Sequence, residues 1–206
     1  MSILITAFEP YHHWKENASL MCLRLLEKDE SINSFLSTNV YPVDFLTARE
    51  LLYKDIVKDF DYIIHLGQTD ISSKLTLEKV GKNFGEGSEE FNEHFNNQLT
   101  DDGPFELTTN SDIERWHQLL DRNNIPNEIS TDAGTYLCNA VLYWSLYTIN
   151  QRNLKTRTSF IHIPPDKTQI VSAGTETPSS DIGLSIKGLK LIINDIISVS
   201  GQGGVS

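Results

Sequence analysis

Asp61-Tyr62-Ile63-Ile64-His65-Leu66-Gly67-Gln68-Thr69-Asp70 decides how the rest of the chain is read. From Tyr62 to Leu66 the residues are apolar or bulky, without strict polar alternation and too few for a helix, which is the pattern of a strand buried on both faces. Strands of that kind belong to parallel sheets covered by helices. Gly67 and the polar residues after it predict a loop at the strand's carboxyl end, where open α/β sheets place their ligands. Gln68 is therefore a candidate binding residue, although a loop glutamine is more often simply solvated. His65, inside the strand, reads as a satisfied core or sheet-face histidine.

Toward the amino terminus, Ile3-Leu4-Ile5-Thr6 is a second strand of the same type, followed by a loop over Phe8-Glu9-Pro10-Tyr11. Asn17 is a good N-cap for a helix in which Leu20, Met21, Leu23 and Leu26 recur at helical spacing, with Cys22 packed inside. Asn39-Val40-Tyr41 reads as a strand and residues 47–59 as a helix. Toward the carboxyl terminus, Lys74-Leu75-Thr76-Leu77-Glu78-Lys79-Val80 alternates, so Glu78 shares a face with Thr76 and Val80. Ser111-Asp112 caps a helix containing Trp116, Leu119, Leu120 and a surface His117, and Glu128-Ile129-Ser130 is a short strand. A helix runs from Asn139 to Ile149, a strand covers residues 159–164, and residues 166–180 read as a loop. Ser180-Asp181 caps a long final helix, and residues 201–206 are expected to be a disordered tail. Strands alternating with helices predict one domain over residues 1–200, of class α/β, a three-layer α/β/α sandwich with a mostly parallel central sheet.

The composition excludes several functions. With 17 Lys+Arg against 28 Asp+Glu the formal net charge is −11, which repels phosphate backbones and anionic lipid, so neither nucleic acid nor a membrane is an expected partner. No apolar run reaches the roughly 18 residues of a membrane span, and the start lacks a basic leader, so a cytoplasmic protein is expected. Two cysteines, Cys22 and Cys138, with no Cys-x-x-Cys spacing, are expected to be free thiols. His12-His13 with Glu9 invites a metal reading, but adjacent histidines diverge and no third ligand stands at a useful spacing, so no metal is expected.

Cys138 follows the small, turn-prone segment Thr131-Asp132-Ala133-Gly134-Thr135 and opens an apolar helix. There, unpaired N–H groups and the positive helix end favour thiolate and leave donors for an oxyanion. On position alone, Cys138 reads more readily as a packed small hydrophobe. Glu78 near the end of a strand and His162 at the end of another supply the remaining parts of a cysteine hydrolase, an imidazole that moves protons and a carboxylate that orients it. Six histidines and 28 acids offer many accidental trios, so spacing does not single this one out.

Ala133-Gly134-Thr135-Tyr136-Leu137-Cys138-Asn139, Phe160-Ile161-His162-Ile163-Pro164 and Leu75-Thr76-Leu77-Glu78-Lys79-Val80 resemble the three active-site blocks of the pyroglutamyl peptidase I (pyrrolidone-carboxylate peptidase) family, in the same order. Thr6-Ala7-Phe8-Glu9-Pro10-Tyr11 resembles its amino-terminal motif, Asn17-Ala18-Ser19 stands where the family shows Asn-Pro-Ser, and Leu66-Gly67-Gln68 matches its Val-Gly-Gln. The resemblance spans residues 3–197. It implies Cys138 as nucleophile, His162 as general acid/base and Glu78 as orienting carboxylate. It also implies that Phe8, Tyr11, Tyr136 and Leu137 line a pocket for the flat pyrrolidone ring, with Asn17 and Gln68 close by. The implied substrate is an N-terminally pyroglutamylated peptide or similar small amide, and the implied enzyme is a cytosolic cysteine-type omega peptidase with no cofactor, often a homotetramer.

The chain departs from the family in its loops. His12-His13 replaces Gly-Gly, Pro164-Pro165 replaces Pro-Tyr, and the acidic stretch Glu86-Gly87-Ser88-Glu89-Glu90-Phe91 replaces a segment carrying an arginine near the active site. An acidic loop over residues 81–102 is therefore expected to raise the thiol's pKa, slow the reaction and disfavour acidic residues after the scissile bond. The competing reading is a catalytically silent or altered-specificity member that acts as a binding or assembly module.

Overall fold

A computed structural model describes residues 1–86 and 97–202, with side chains through residue 199. In the central strands, residues of alternate parity point to opposite faces, and both faces are apolar, so helices must cover both. The strands are β1 (Ile3–Phe8), β2 (Leu36–Tyr41), β3 (Tyr62–Gln68), β4 (Leu75–Glu78), β5 (Val80–Lys82), β6 (Glu106–Thr108), β7 (Asn127–Ser130) and β8 (Arg157–Ile163). Six of them form one sheet in the order β2-β1-β3-β8-β4-β7, while β5 and β6 make a small antiparallel pair. All pairings in the large sheet are parallel except β4 with β8.

The helices are α1 (Ala18–Glu27), α2 (Phe45–Ile56), α3 (Ile113–Arg122), α4 (Leu137–Gln151), α5 (Lys167–Ala173) and α6 (Ile182–Gln202). One face of the sheet, with Ile5, Ala7, Ile64, Leu66, Ile161 and Ile163, packs on α1, α3 and α6 through Leu23, Trp116 and Ile192. The other, with Leu4, Phe8, Ile63 and Phe160, packs on α2 and α4 through Leu52, Val141 and Trp144. Two cores on one sheet make the three-layer α/β/α arrangement the alternation predicts.

Four local expectations are corrected. Phe8 and Gln68 are not loop residues: β1 continues because Phe8 pairs with Tyr41, and β3 continues because Gln68 pairs with Ile163. The second helix begins at Phe45, because the Asp44 side chain accepts from the Thr47 amide as its N-cap. Residues 166–180 are not all loop, since α5 forms behind a capping box between Asp166 and Gln169. Finally, α6 runs through Gly201 to Gln202, so the expected tail does not begin at 201, and residues 203–206 lie outside the described residues.

Candidate active site

β3 and β8 bring the first two groups together. Gly67 and His162 are direct neighbours across the parallel pair. A Cβ built on Gly67 would lie 3.0 Å from Cys138 Sγ, so only the absence of a side chain lets the thiol settle over the sheet at this point. Cys138, half-buried, occupies the second position of α4. Asn17, Asp44, Asp112 and Asp166 each cap their helix with a side-chain oxygen, whereas α4, with Tyr136 at its N-cap position, has no side-chain cap among the described residues. Its first-turn amides therefore retain donor capacity beside the sulfur.

Glu78 arrives differently from the other two. The sequence reading sets it at a strand end comparable to that of His162, but β4 runs antiparallel to β8, so Glu78 sits opposite Phe160 and diagonal to His162 on the same face. A diagonal of this kind is within reach of a long side chain. Glu78 Oε1 lies 2.8 Å from His162 Nδ1 with both residues buried. A carboxylate can only accept, so Nδ1 carries the hydrogen and donates it, which leaves Nε2 to face Cys138. Burial by itself disfavours a charged imidazole, but the charge and hydrogen bond of Cys138, together with those of Glu78, outweigh it and raise His162 to about 10.

All nine residues singled out from sequence, namely Cys138, His162, Glu78, Phe8, Tyr11, Asn17, Gln68, Tyr136 and Leu137, line one cavity of about 680 Å³. Phe8 and Leu137 form its apolar, buried end. Tyr136 is partly exposed and meets Phe45 edge-to-face at 5.1 Å. The Tyr11 hydroxyl is held neutral by burial and by the nearby charges of Cys138 and Asp70. Gln68 Oε1 accepts from the Ala18 amide at 2.7 Å and from Gln169 Nε2 at 3.1 Å, whereas its own Nε2 is buried with no partner among the described residues. Glu78 Oε2 likewise has no partner among the described residues. Asn17 is chiefly structural: its Oδ1 accepts from the Ser19 amide and hydroxyl, and its Nδ2 donates to the Glu9 carbonyl.

His65 and Cys22, also weighed from sequence, fall elsewhere. His65 is fully buried, bonded to Thr6 and Ser145, and outside the cavity lining. Cys22 is fully buried in the opposite core, where burial and the Asp166 carboxylate push its thiol up. His12 does line the cavity and takes a left-handed backbone, φ 51°, at the position where glycine would be unstrained. Ser88, Glu89 and Glu90, on which the acidic-loop expectation rests, lie outside the described residues. Glu86 is described: it accepts from the Thr135 hydroxyl at 2.9 Å, just upstream of Cys138.

Sequence reading missed Val43, Asp70, Ile71, Glu128 and Asp132 in the lining, and Asn139 behind it. Asn139 is fully buried and bonds the Lys82 N–H and carbonyl and the Phe84 carbonyl, pinning the start of the acidic stretch to the helix that carries the thiol. A signal existed for some of them: Val43 and Asp70 each stand just beyond a strand's carboxyl end, where ligands sit in such sheets.

Comparison with known proteins adds a second line. The family model described as pyroglutamyl peptidase matches residues 1–199. The pyrrolidone-carboxylate peptidase of Thermosipho melanesiensis is 30% identical over 207 residues, covering 96% of this chain and 99% of that protein. That of Fusobacterium nucleatum is 29% identical over 204 residues, covering 97% and 94%. Among solved structures, the pyrrolidone carboxyl peptidase of Fervidobacterium islandicum superposes with a TM-score of 0.84 at 28% identity, covering 96% of this chain and 99% of that one.

Proposed function

The chain belongs to the pyroglutamyl peptidase family, and from that premise we propose that it removes an amino-terminal pyroglutamyl residue from peptides, with Cys138 as nucleophile, His162 as general acid/base and Glu78 as orienting carboxylate. The observation that carries this reading is the Glu78–His162 hydrogen bond, 2.8 Å, beside a thiol at an uncapped helix start. His162 Nε2 takes the proton from Sγ, and the thiolate attacks the pyroglutamyl carbonyl carbon. The resulting oxyanion is met by the first-turn amides of α4. As the C–N bond breaks, the leaving amine takes the proton from His162. Water, deprotonated by His162, then hydrolyses the thioester and frees pyroglutamate and the thiol. Glu78 keeps Nδ1 protonated and offsets the imidazolium charge through both proton transfers.

The ring would rest against Phe8 and Leu137, with Tyr11 and Tyr136 at the sides. Gln68 Nε2 is the buried donor left to meet a lactam carbonyl, and a buried donor without a partner costs roughly 1–3 kcal/mol until a ligand supplies one. No helix among the described residues is long and apolar enough to cross a membrane, and with two unpaired thiols the proposed setting is the cytoplasm. A homotetramer is proposed as the working assembly, to be checked by light scattering of the purified protein. The activity is tested by turnover of a pyroglutamyl-amide reporter against prolyl, glutaminyl and acetyl-capped analogues. Selective cleavage of the pyroglutamyl compound is expected; a folded protein that cleaves none of them would favour the binding-module reading.

A further inference from the structure

The cavity is larger than the ring it is proposed to hold. A volume of about 680 Å³ is in the range that takes a whole drug-sized ligand, and one five-membered lactam fills only part of it. Gln68 Nε2, buried in the lining with no partner among the described residues, marks this as a cavity that a hydrogen-bonding ligand completes. The enclosed end is apolar, with Phe8 and Leu137 almost wholly buried. Asp70, Ile71 and Asp132 also line the cavity and are exposed, which makes them the side toward which a substrate with its ring against Phe8 can extend its leaving-group residue.

That rim is electrostatically one-sided. Among the described residues the lining contains four carboxylates, those of Asp70, Glu78, Glu128 and Asp132, and no lysine or arginine. Three of the four are already engaged: Glu78 with His162, Glu128 with Lys74 at 3.3 Å, and Asp132 with Lys82 at 3.2 Å. Asp70 is different, since among the described residues no cation pairs with it, and residues 87–96 contain no lysine or arginine that could. Its charge is nonetheless felt at the site, because the Tyr11 hydroxyl responds to both Asp70 and Cys138. Glu86, held on Thr135 three residues before Cys138, adds a further negative charge to the neighbourhood of the site.

We propose that Asp70 makes the leaving-group side of this cavity selective for substrates in which lysine or arginine follows the pyroglutamyl residue. The proposal rests on the peptidase reading and adds to it which peptides are preferred. A cationic side chain leaving the enclosed end meets an unpaired carboxylate at the rim, and an acidic one meets repulsion from the same group. Each effect at an exposed site is worth about threefold, so together they give a lysine-over-glutamate ratio of roughly tenfold at low salt.

The experiment compares kcat/KM for pyroglutamyl-lysine, pyroglutamyl-alanine and pyroglutamyl-glutamate amides in wild type, Asp70→Asn and Glu30→Gln, at low salt and in about 0.5 M NaCl. The ratio within each protein is the readout, so a general change in activity cancels. Wild type should favour lysine over alanine over glutamate, and Asp70→Asn should reduce the ratio to about twofold. Glu30→Gln removes the same net charge far from the pocket and should retain the preference, while high salt should compress it in every protein. Turnover with no lysine preference, or a preference that survives in Asp70→Asn, overturns the subsite while leaving the peptidase reading intact. Failure of wild type to cleave any of the three overturns the peptidase reading and the subsite together.

Discussion

Gly67→Ala tests whether the thiol lies where the sheet geometry puts it. The added methyl would stand 2.6 and 2.8 Å from the Phe160 ring and 3.0 Å from Cys138 Sγ, well inside the ~3.5–4.0 Å at which carbon atoms attract. Phe160 cannot yield easily: it is fully buried, with its ring 4.9 Å from that of His162 and 6.3 Å from that of His65. Overpacking of this kind costs about 1–3 kcal/mol, and moving a reacting atom by about 1 Å costs on the order of 100-fold in rate. We expect Gly67→Ala to lose about 2 kcal/mol in a urea titration and about two orders of magnitude in kcat/KM for a pyroglutamyl amide.

Two comparisons separate the causes. Gly174→Ala meets no atom within 4 Å but has φ 64°, so it should lose about 1–2 kcal/mol through its backbone alone and keep its activity. Adding Phe160→Leu to Gly67→Ala relieves the ring contact and should recover stability but not rate, because the contact with sulfur remains. Full activity in Gly67→Ala would refute the placement of the thiol over this strand.

Four further outcomes are expected. Iodoacetamide at neutral pH should label Cys138 well before Cys22, which is fully buried with its thiol pushed up by burial; mass mapping that finds Cys22 first contradicts the assignment. Glu78→Gln removes a charge that raises His162, so the alkaline limb of kcat/KM should move to lower pH, with a smaller loss of rate than the several orders expected for His162→Ala; an unmoved limb would deny Glu78 that role. Asn139→Leu breaks three hydrogen bonds from a fully buried side chain to residues 82 and 84 and should cost about 2–4 kcal/mol in denaturant titration, with faster proteolysis in residues 81–102. His65 is lowered to about 3 by burial, only partly opposed by Asp55, so its proton binds the unfolded chain first. Stability should then fall as pH drops below about 6.5, by up to ~1.4 kcal/mol per unit, and His65→Gln should flatten that slope; His162, raised rather than lowered, is protonated in both states there and contributes little.

The elements that could be read from sequence were those with a strong period or cap. The runs at Ile3 and Tyr62, the Asn17 cap and the apolar helix read from Asn139, which in the structure starts two residues earlier at Leu137, each carry their own local signal, and together they gave the layered α/β/α plan and a mostly parallel sheet. α5 was missed because its seven residues have little apolar periodicity, although Asp166-Lys167-Thr168-Gln169 has capping-box spacing. The reversed direction of β4 was not legible, since strand direction is set by pairing, and the residues of Leu75–Glu78 alternate identically in either sense. The three groups Cys138, His162 and Glu78 came from motif resemblance. The rim carboxylates did not: Asp132 acquires meaning only when two distant loops meet over one cavity, and Asp70, though it stands just past a strand's carboxyl end, belongs to no motif of its own.

The most direct test of the central claim is capture of the acyl intermediate. A pyroglutamyl-amide reporter is mixed with enzyme, quenched in acid within the turnover time and digested for mass spectrometry. A pyroglutamyl thioester on the peptide containing Cys138, absent in Cys138→Ser and present when Cys22 is replaced by alanine, is the expected result. Turnover with the acyl group on another residue, or undiminished turnover in Cys138→Ser, would contradict it.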